Sequence, residues 1–174
     1  MKAIAAIGLL CCATPAASEV VKASPNGFEV RHTVNLVIPP EAAFAAFANL
    51  GGWWGKDHTY SGNSANLSLS LRPGGCFCER FPDGGGIEHL RVTYVEPGKR
   101  LVLTGSLGPL LYEATAGVMD VRVKSIAGGS QLTLNYRAAG FANGGAEKLA
   151  PLVDGVLGDQ IRRYRAFASA RPRS

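Results

Sequence analysis

Apolar and polar residues alternate from Phe28 to Ile38, through Phe28, Val30, Thr33-Val34 and Leu36-Val37-Ile38. β-branched residues are frequent in this run, which predicts a long first strand. Pro39-Pro40 stops it. Pro40 suits the first turn of a helix, and Glu41 suits that turn's positive end. From Glu41 to Ala48 the apolar residues Phe44, Phe47 and Ala48 fall at helical spacing, and Gly51-Gly52 ends the helix before Trp53-Trp54. Gly55 to Asn66 is polar and irregular, a surface segment laid over something else.

Strands then follow one another. Leu67, Leu69 and Leu71 alternate with polar residues; Pro73-Gly74-Gly75 turns the chain into a strand from Cys76 to Phe81. Pro82-Asp83-Gly84-Gly85-Gly86 reads as a hairpin loop into Ile87 to Val95. Leu101 to Thr104, Val118 to Ile126 and Gln131 to Ala138 complete the series, with a longer connection from Gly105 to Gly117. The period then changes. Leu149, Leu152, Val153, Val156, Leu157, Ile161, Tyr164 and Phe167 form one apolar stripe on a long helix. Pro151 belongs in its first turn, and Gly155 and Gly158 within it suggest close approach to the sheet. The order predicts an α+β domain of six or seven antiparallel strands curved around a C-terminal helix. One helix cannot cover such a sheet, and the gap is where a cavity belongs.

The chain has 174 residues, enough for one domain. Met1-Lys2, the apolar run to Ala13, the break at Thr14-Pro15 and the small residues Ala16-Ala17-Ser18 have the order of a secretory signal peptide cut after Ser18. The run is too short for a stable membrane anchor. Cys11 and Cys12 raise a lipoprotein alternative, but Gly8-Leu9-Leu10 before them lacks the small residue expected ahead of a lipidated cysteine. Residues 19–27 read as a flexible segment, 28–168 as the domain and 169–174 as a disordered tail. Cleavage would remove Lys2 and no acid, lowering the net charge from +5 to +4. Apart from Arg162-Arg163, Arg165, Arg171 and Arg173, which read as a solvated helix face and a frayed tail, that excess is scattered, and it argues against a nucleic-acid partner, which calls for clustered charge interleaved with aromatics. Nothing in the sequence specifies an oligomeric state.

Several motifs together resemble the SRPBCC or START-like superfamily, in the branch named after the activator of Hsp90 ATPase. They are Pro39-Pro40-Glu41-Ala42-Ala43-Phe44, Gly52-Trp53-Trp54, Pro73-Gly74-Gly75 ahead of Phe77, Arg80-Phe81-Pro82-Asp83-Gly84, Val95-Glu96-Pro97-Gly98, Leu101-Val102-Leu103-Thr104 and the closing helix. The resemblance spans roughly Phe28 to Ala168. It implies a helix-grip fold with a cavity between sheet and helix, in a group containing lipid and polyketide binders, cyclases, hydrolases and chaperone activators. A signal peptide argues against Hsp90 activation, since that partner and its ATP are cytosolic. Cys76-Phe77-Cys78-Glu79 and His58-Thr59-Tyr60-Ser61-Gly62 depart from the typical member.

The chemistry-bearing residues gather near these departures. If Phe81 faces Ile87, then Cys76, Cys78 and Arg80 share the inner face with Glu88, Leu90, Val92 and Tyr94. Phe77, Glu79 and Phe81 then share the outer face with His89 and Arg91. On that register Arg80 pairs with Glu88, and Glu79 with His89. A carboxylate beside an imidazole is either an acid–base dyad or a cross-strand polar pair on a solvated face. Cys78 is either a nucleophile or, more simply, a buried thiol. A Cys76–Cys78 bridge would need a bulge, because residues two apart in a strand lie about 6.5–7 Å apart; no disulfide framework is expected. Cys-x-Cys on a strand is not a usual zinc spacing, so Cys76, Cys78, His58 and His89 are not read as a metal site. No cofactor is expected, and the turn glycines lack the strand-to-helix context of a phosphate loop. Trp53 and Trp54 divide between core plug and cavity wall, His58 and Tyr60 offer polar contacts from the loop, His32 reads as surface, and Asp120 pairs with a basic neighbour.

The leading reading is an exported protein that binds a hydrophobic or aromatic small molecule. Its wall would include Trp53, Trp54, His58, Tyr60, Cys78, Tyr94, Leu110, Tyr112, Tyr136 and Leu157. The alternatives are a cyclase, hydrolase or lyase using Glu79, His89, His58 or Cys78, and a partner-binding domain with a filled core. Glu79 and His89 within hydrogen-bond reach beside a deep pocket would favour the enzyme.

Overall fold

The computed structural model describes residues 17–170. The expected signal peptide lies outside the described residues except for its last two positions. Residues 171–174 of the expected tail also lie outside. Ser169 and Ala170, assigned to that tail, instead close the last helix.

Eight strands form one antiparallel sheet. They are β1 (Ala17–Ser24), β2 (Gly27–Leu36), β3 (Leu67–Leu69), β4 (Cys76–Arg80), β5 (Gly86–Glu96), β6 (Arg100–Gly105), β7 (Ala114–Ile126) and β8 (Gly129–Phe141). Their order is β1-β2-β8-β7-β6-β5-β4-β3. Helix α1 (Pro40–Ala48) follows β2, and α2 (Ala150–Ala170) is the last element of the described residues. This is the expected helix-grip arrangement of a curved open sheet and a long C-terminal helix.

The eighth strand corrects an expectation. Residues 19–27 are not a flexible lead-in: most of them belong to β1, which pairs along β2 from Ala17↔Thr33 to Ser24↔Gly27. An unpaired β2 edge would leave a row of backbone donors and acceptors open, and β1 covers it.

The inner face follows period two. Phe28, Val30, His32, Val34 and Leu36 are buried along β2, and Ser130, Leu132, Leu134, Tyr136 and Ala138 along β8. His32, read as surface, is therefore core. Tyr136 fills the space left by Gly117 on β7, where an added Cβ would lie 2.5 Å from its hydroxyl. That hydroxyl accepts from Leu107 N at 3.2 Å and reaches Gly105 O at 3.4 Å, so it is spent on the backbone, and burial pushes its pKa up to about 12.

Helix α2 sits off-centre. It packs along β2, β1 and α1, at one end of the sheet. Tyr164 donates to Ala43 O at 2.9 Å and stacks edge-on with Phe47 and Trp53, locking α2 to α1. Gly158 lies where a Cβ would meet His32 Cε1 at 3.2 Å, the close approach expected for it; Gly155 has open space around it. Because the helix grips the β1–β2 end, the inner face toward β4 and β5 is roofed by loop residues together with the first turns of α2.

Candidate functional site

The β4–β5 ladder carries the irregularity that builds the site. Phe77 pairs with Leu90 and Cys78 with Glu88, so His89 is an extra residue on β5. Such a bulge re-aims a side chain. It lets His89 and its neighbour Leu90 both be buried. On β4, Cys76 and Cys78 are joined by a disulfide with Cα atoms 5.4 Å apart. That is shorter than the roughly 6.5–7 Å of a regular strand, so β4 is contracted where β5 carries its additional residue.

This corrects several expectations. Cys76 and Cys78 are bridged and only half-buried, so Cys78 is neither an inner-face thiol nor a nucleophile in this state. Phe77 and Glu79 point inward instead. Glu79 stands opposite Ile87, a shift from the expected Phe81–Ile87 register, and Glu88 pairs with Arg91 rather than Arg80. Cys76, Cys78 and Glu88 bring ligand-type atoms within 4.8 Å of one another, but sulfurs bonded to each other are not thiolate ligands.

Glu79 and His89 do meet, and they meet inside. His89 Nε2 lies 3.1 Å from Glu79 Oε2, with both side chains buried. The carboxylate also accepts from Tyr60 N at 3.1 Å and Ser61 N at 2.5 Å. It therefore does two jobs, fixing the imidazole and pinning the loop. Burial alone would raise its pKa; the bonds from Ser61, Tyr60 and His89 outweigh that and hold the carboxyl below its ordinary value. Burial lowers the His89 pKa, with Glu79 pulling the other way. His89 is packed against the rings of Phe77 and Tyr60, at 4.8 and 5.8 Å between centroids. Its Nδ1 is buried, with no hydrogen-bond partner among the described residues.

His89 lines a cavity of about 350 Å³. Trp54, Leu107, Pro109, Leu110, Val153, Val156 and Leu157 supply most of its wall, and Asp57, His58, Thr59 and Tyr60 supply polar atoms from the loop. Leu152 is 65% exposed and stands at the rim. Trp54 Nε1 donates to His58 O at 3.0 Å, and Gln160 on α2 accepts from Gly55 N at 2.7 Å, so the loop is tied at both ends of its turn.

No family model matches this chain, and no curated protein matches it. Solved structures do resemble it. An uncharacterised protein from Rhizobium leguminosarum is 16% identical with a TM-score of 0.58, covering 91% of this chain and 100% of its own. A protein from Staphylococcus saprophyticus is 12% identical with a TM-score of 0.58, over 82% and 92% of the two chains. A conserved protein of unknown function from Enterococcus faecalis is 11% identical with a TM-score of 0.58, over 89% and 77%. The likeness is one of fold.

Of the expected wall residues, Trp54, His58, Tyr60, Leu110 and Leu157 line the cavity. Trp53 does not; it is the core plug, donating to Phe47 O at 3.1 Å. Cys78 and Tyr136 are also elsewhere, for the reasons given above. Tyr94 is turned outward by a second register shift between Val92 and Tyr94, and Arg100 lies over its ring. Tyr112 is 76% exposed and does not line the cavity; the Tyr60 phenol is pushed up by burial and by its neighbour Tyr112. Asp57, Thr59 and Gln160 were not anticipated. Gln160 had a signal, because it sits beside Ile161 on the apolar stripe. Asp120 pairs as expected, with Arg100 and Arg122 at 2.9 and 3.0 Å.

Proposed function

We propose that this protein holds a small, mainly apolar molecule in the cavity between α2 and the β4–β5 end of the sheet. The observation that carries this reading is the unfilled apolar wall from Leu107 to Leu110 and of Val153, Val156 and Leu157, facing a few convergent polar groups. A packed core leaves few voids larger than a water molecule, and a recess of this size and lining has the character of a ligand site. Membership of the SRPBCC or START-like superfamily is part of the proposal, supported by the fold and by the proline and glycine punctuation falling at the element ends. Export is a further part. It is supported by the order of residues at the N-terminus and by the Cys76–Cys78 bridge, which suits an oxidising compartment.

Native mass spectrometry of protein purified from its own cell envelope tests this reading. A retained small molecule supports it. Val156→Trp, which fills the recess from the helix side, should abolish retention while the fold persists. Retention unchanged in that variant would contradict it. A second reading, acid–base turnover of the bound molecule, is favoured by one observation: Glu79 and His89 lie 3.1 Å apart beside the cavity. Loss of the bound molecule with appearance of a product on incubation would distinguish turnover from storage.

A further inference from the structure

The tautomer of His89 is set by its partner. An ionised carboxylate only accepts hydrogen bonds. Glu79 Oε2 sits 3.1 Å from His89 Nε2, so the ring hydrogen lies on Nε2 when the imidazole is neutral. Nδ1 then carries a lone pair. It is buried, His89 belongs to the cavity wall, and no described residue donates to Nδ1. A buried acceptor left unmade is costly, and a donor entering from the cavity beside the ring would satisfy it.

We infer that the cavity selects neutral, ring-sized apolar molecules bearing one hydroxyl donor, of the phenol or enol class, and that His89 Nδ1 accepts that hydrogen. This rests on the container reading and sharpens it. The wall explains the apolar body: Leu110, Val153 and Leu157 carry no polar side-chain atom and the Trp54 N–H is spent on His58 O, so polar side chains other than His89 meet the cavity only along the loop from Asp57 to Tyr60. The dyad explains the polarity of the contact. An ether or ketone would set its own lone pairs against that of Nδ1. A carboxylate would set a second negative charge near Glu79. Such a site discriminates strongly against an analogue that lacks the donor, because its own polar atom is then left unpaired.

The test is fluorescence titration of the full chain with 2-naphthol, 2-methoxynaphthalene and naphthalene. The unaltered protein should bind 2-naphthol about ten-fold more tightly than 2-methoxynaphthalene. His89→Phe keeps a ring in place and should reduce that preference to near unity, with near-native far-UV circular dichroism. The comparison within the unaltered protein decides the matter even if the variant does not fold. Equal binding of all three probes would overturn the inference and leave the container standing. Tighter binding of the methoxy compound would overturn it as well. Binding of none would overturn the container and the inference together.

Discussion

Two buried histidines in this fold each face a carboxylate at 3.1 Å, His32 with Asp154 and His89 with Glu79. Both are lowered in pKa by burial, which outweighs the carboxylate's pull. What lies on the other side of each ring separates them. His32 is closed over by α2, with Gly158 directly against it and Arg162 opposing its charge. Its partner comes from that helix, with a side chain 22% exposed. His89 has a fully buried partner on the neighbouring strand, fixed by two loop N–H groups, and its ring borders empty space. The same pair of groups therefore acts as a joint in one place and, on the inference above, holds an acceptor beside the cavity in the other. Burial and pKa direction alone do not tell the two apart.

Removing the carboxylates should break the symmetry most visibly. Glu79→Ala loses three charge-assisted hydrogen bonds at once and should cost about 3–5 kcal/mol in chemical denaturation. Asp154→Ala, at a partly exposed site, should cost about 1 kcal/mol. Equal costs would contradict the distinction between pinned and open carboxylates.

Acid should act on both histidines with the same sign. Their folded pKa values lie below the unfolded value of about 6.5, so the unfolded chain takes up protons first as pH falls. Stability is full above that pH and declines below it, by up to about 1.4 kcal/mol per pH unit for each histidine. Glu79, also lowered, adds a further decline below its ordinary range near pH 4.5. His32→Phe should flatten the first decline without altering probe binding; an unchanged slope would remove His32 from this account.

The Cys76–Cys78 bridge closes only a very short loop, so its reduction should cost about 1–2 kcal/mol. Its effect should fall on the β4–β5 bulge, weakening 2-naphthol binding and leaving the His32 environment unchanged. The smallest contrast is between the two helix glycines. Gly155→Ala should stabilise by about 0.5–1 kcal/mol, having open space for a methyl group. Gly158→Ala should gain less, since the methyl group meets His32.

The architecture was legible because its signals are local. Pro39-Pro40, Gly51-Gly52, the hairpin glycines and the change of period at Leu149 mark elements without reference to anything distant in the chain. The site was legible in its members but not in its geometry. A one-residue irregularity exchanges the faces of a strand, and the bulge at His89 did so to β4. Nothing near Cys76-Phe77-Cys78 announces that bulge, although a bridge between the two cysteines requires one. His32 is a different kind of miss. Its place in the series Phe28, Val30, His32, Val34, Leu36 assigns it to the inner face, and the polar character of the residue and its neighbour Arg31 obscured that. β1 lay hidden because Glu19 to Ser24 is short and polar at both ends, and only the edge of β2 gives it structure.

The contrast between the two histidines is tested most directly by side-chain ¹⁵N spectra of the imidazoles, recorded near pH 7.5 with and without saturating 2-naphthol. The account predicts two neutral rings, with His89 protonated on Nε2 and its Nδ1 resonance shifting on addition of the probe while His32 stays in place. An unmoved His89 Nδ1 under saturation, or a shift confined to His32, would contradict it.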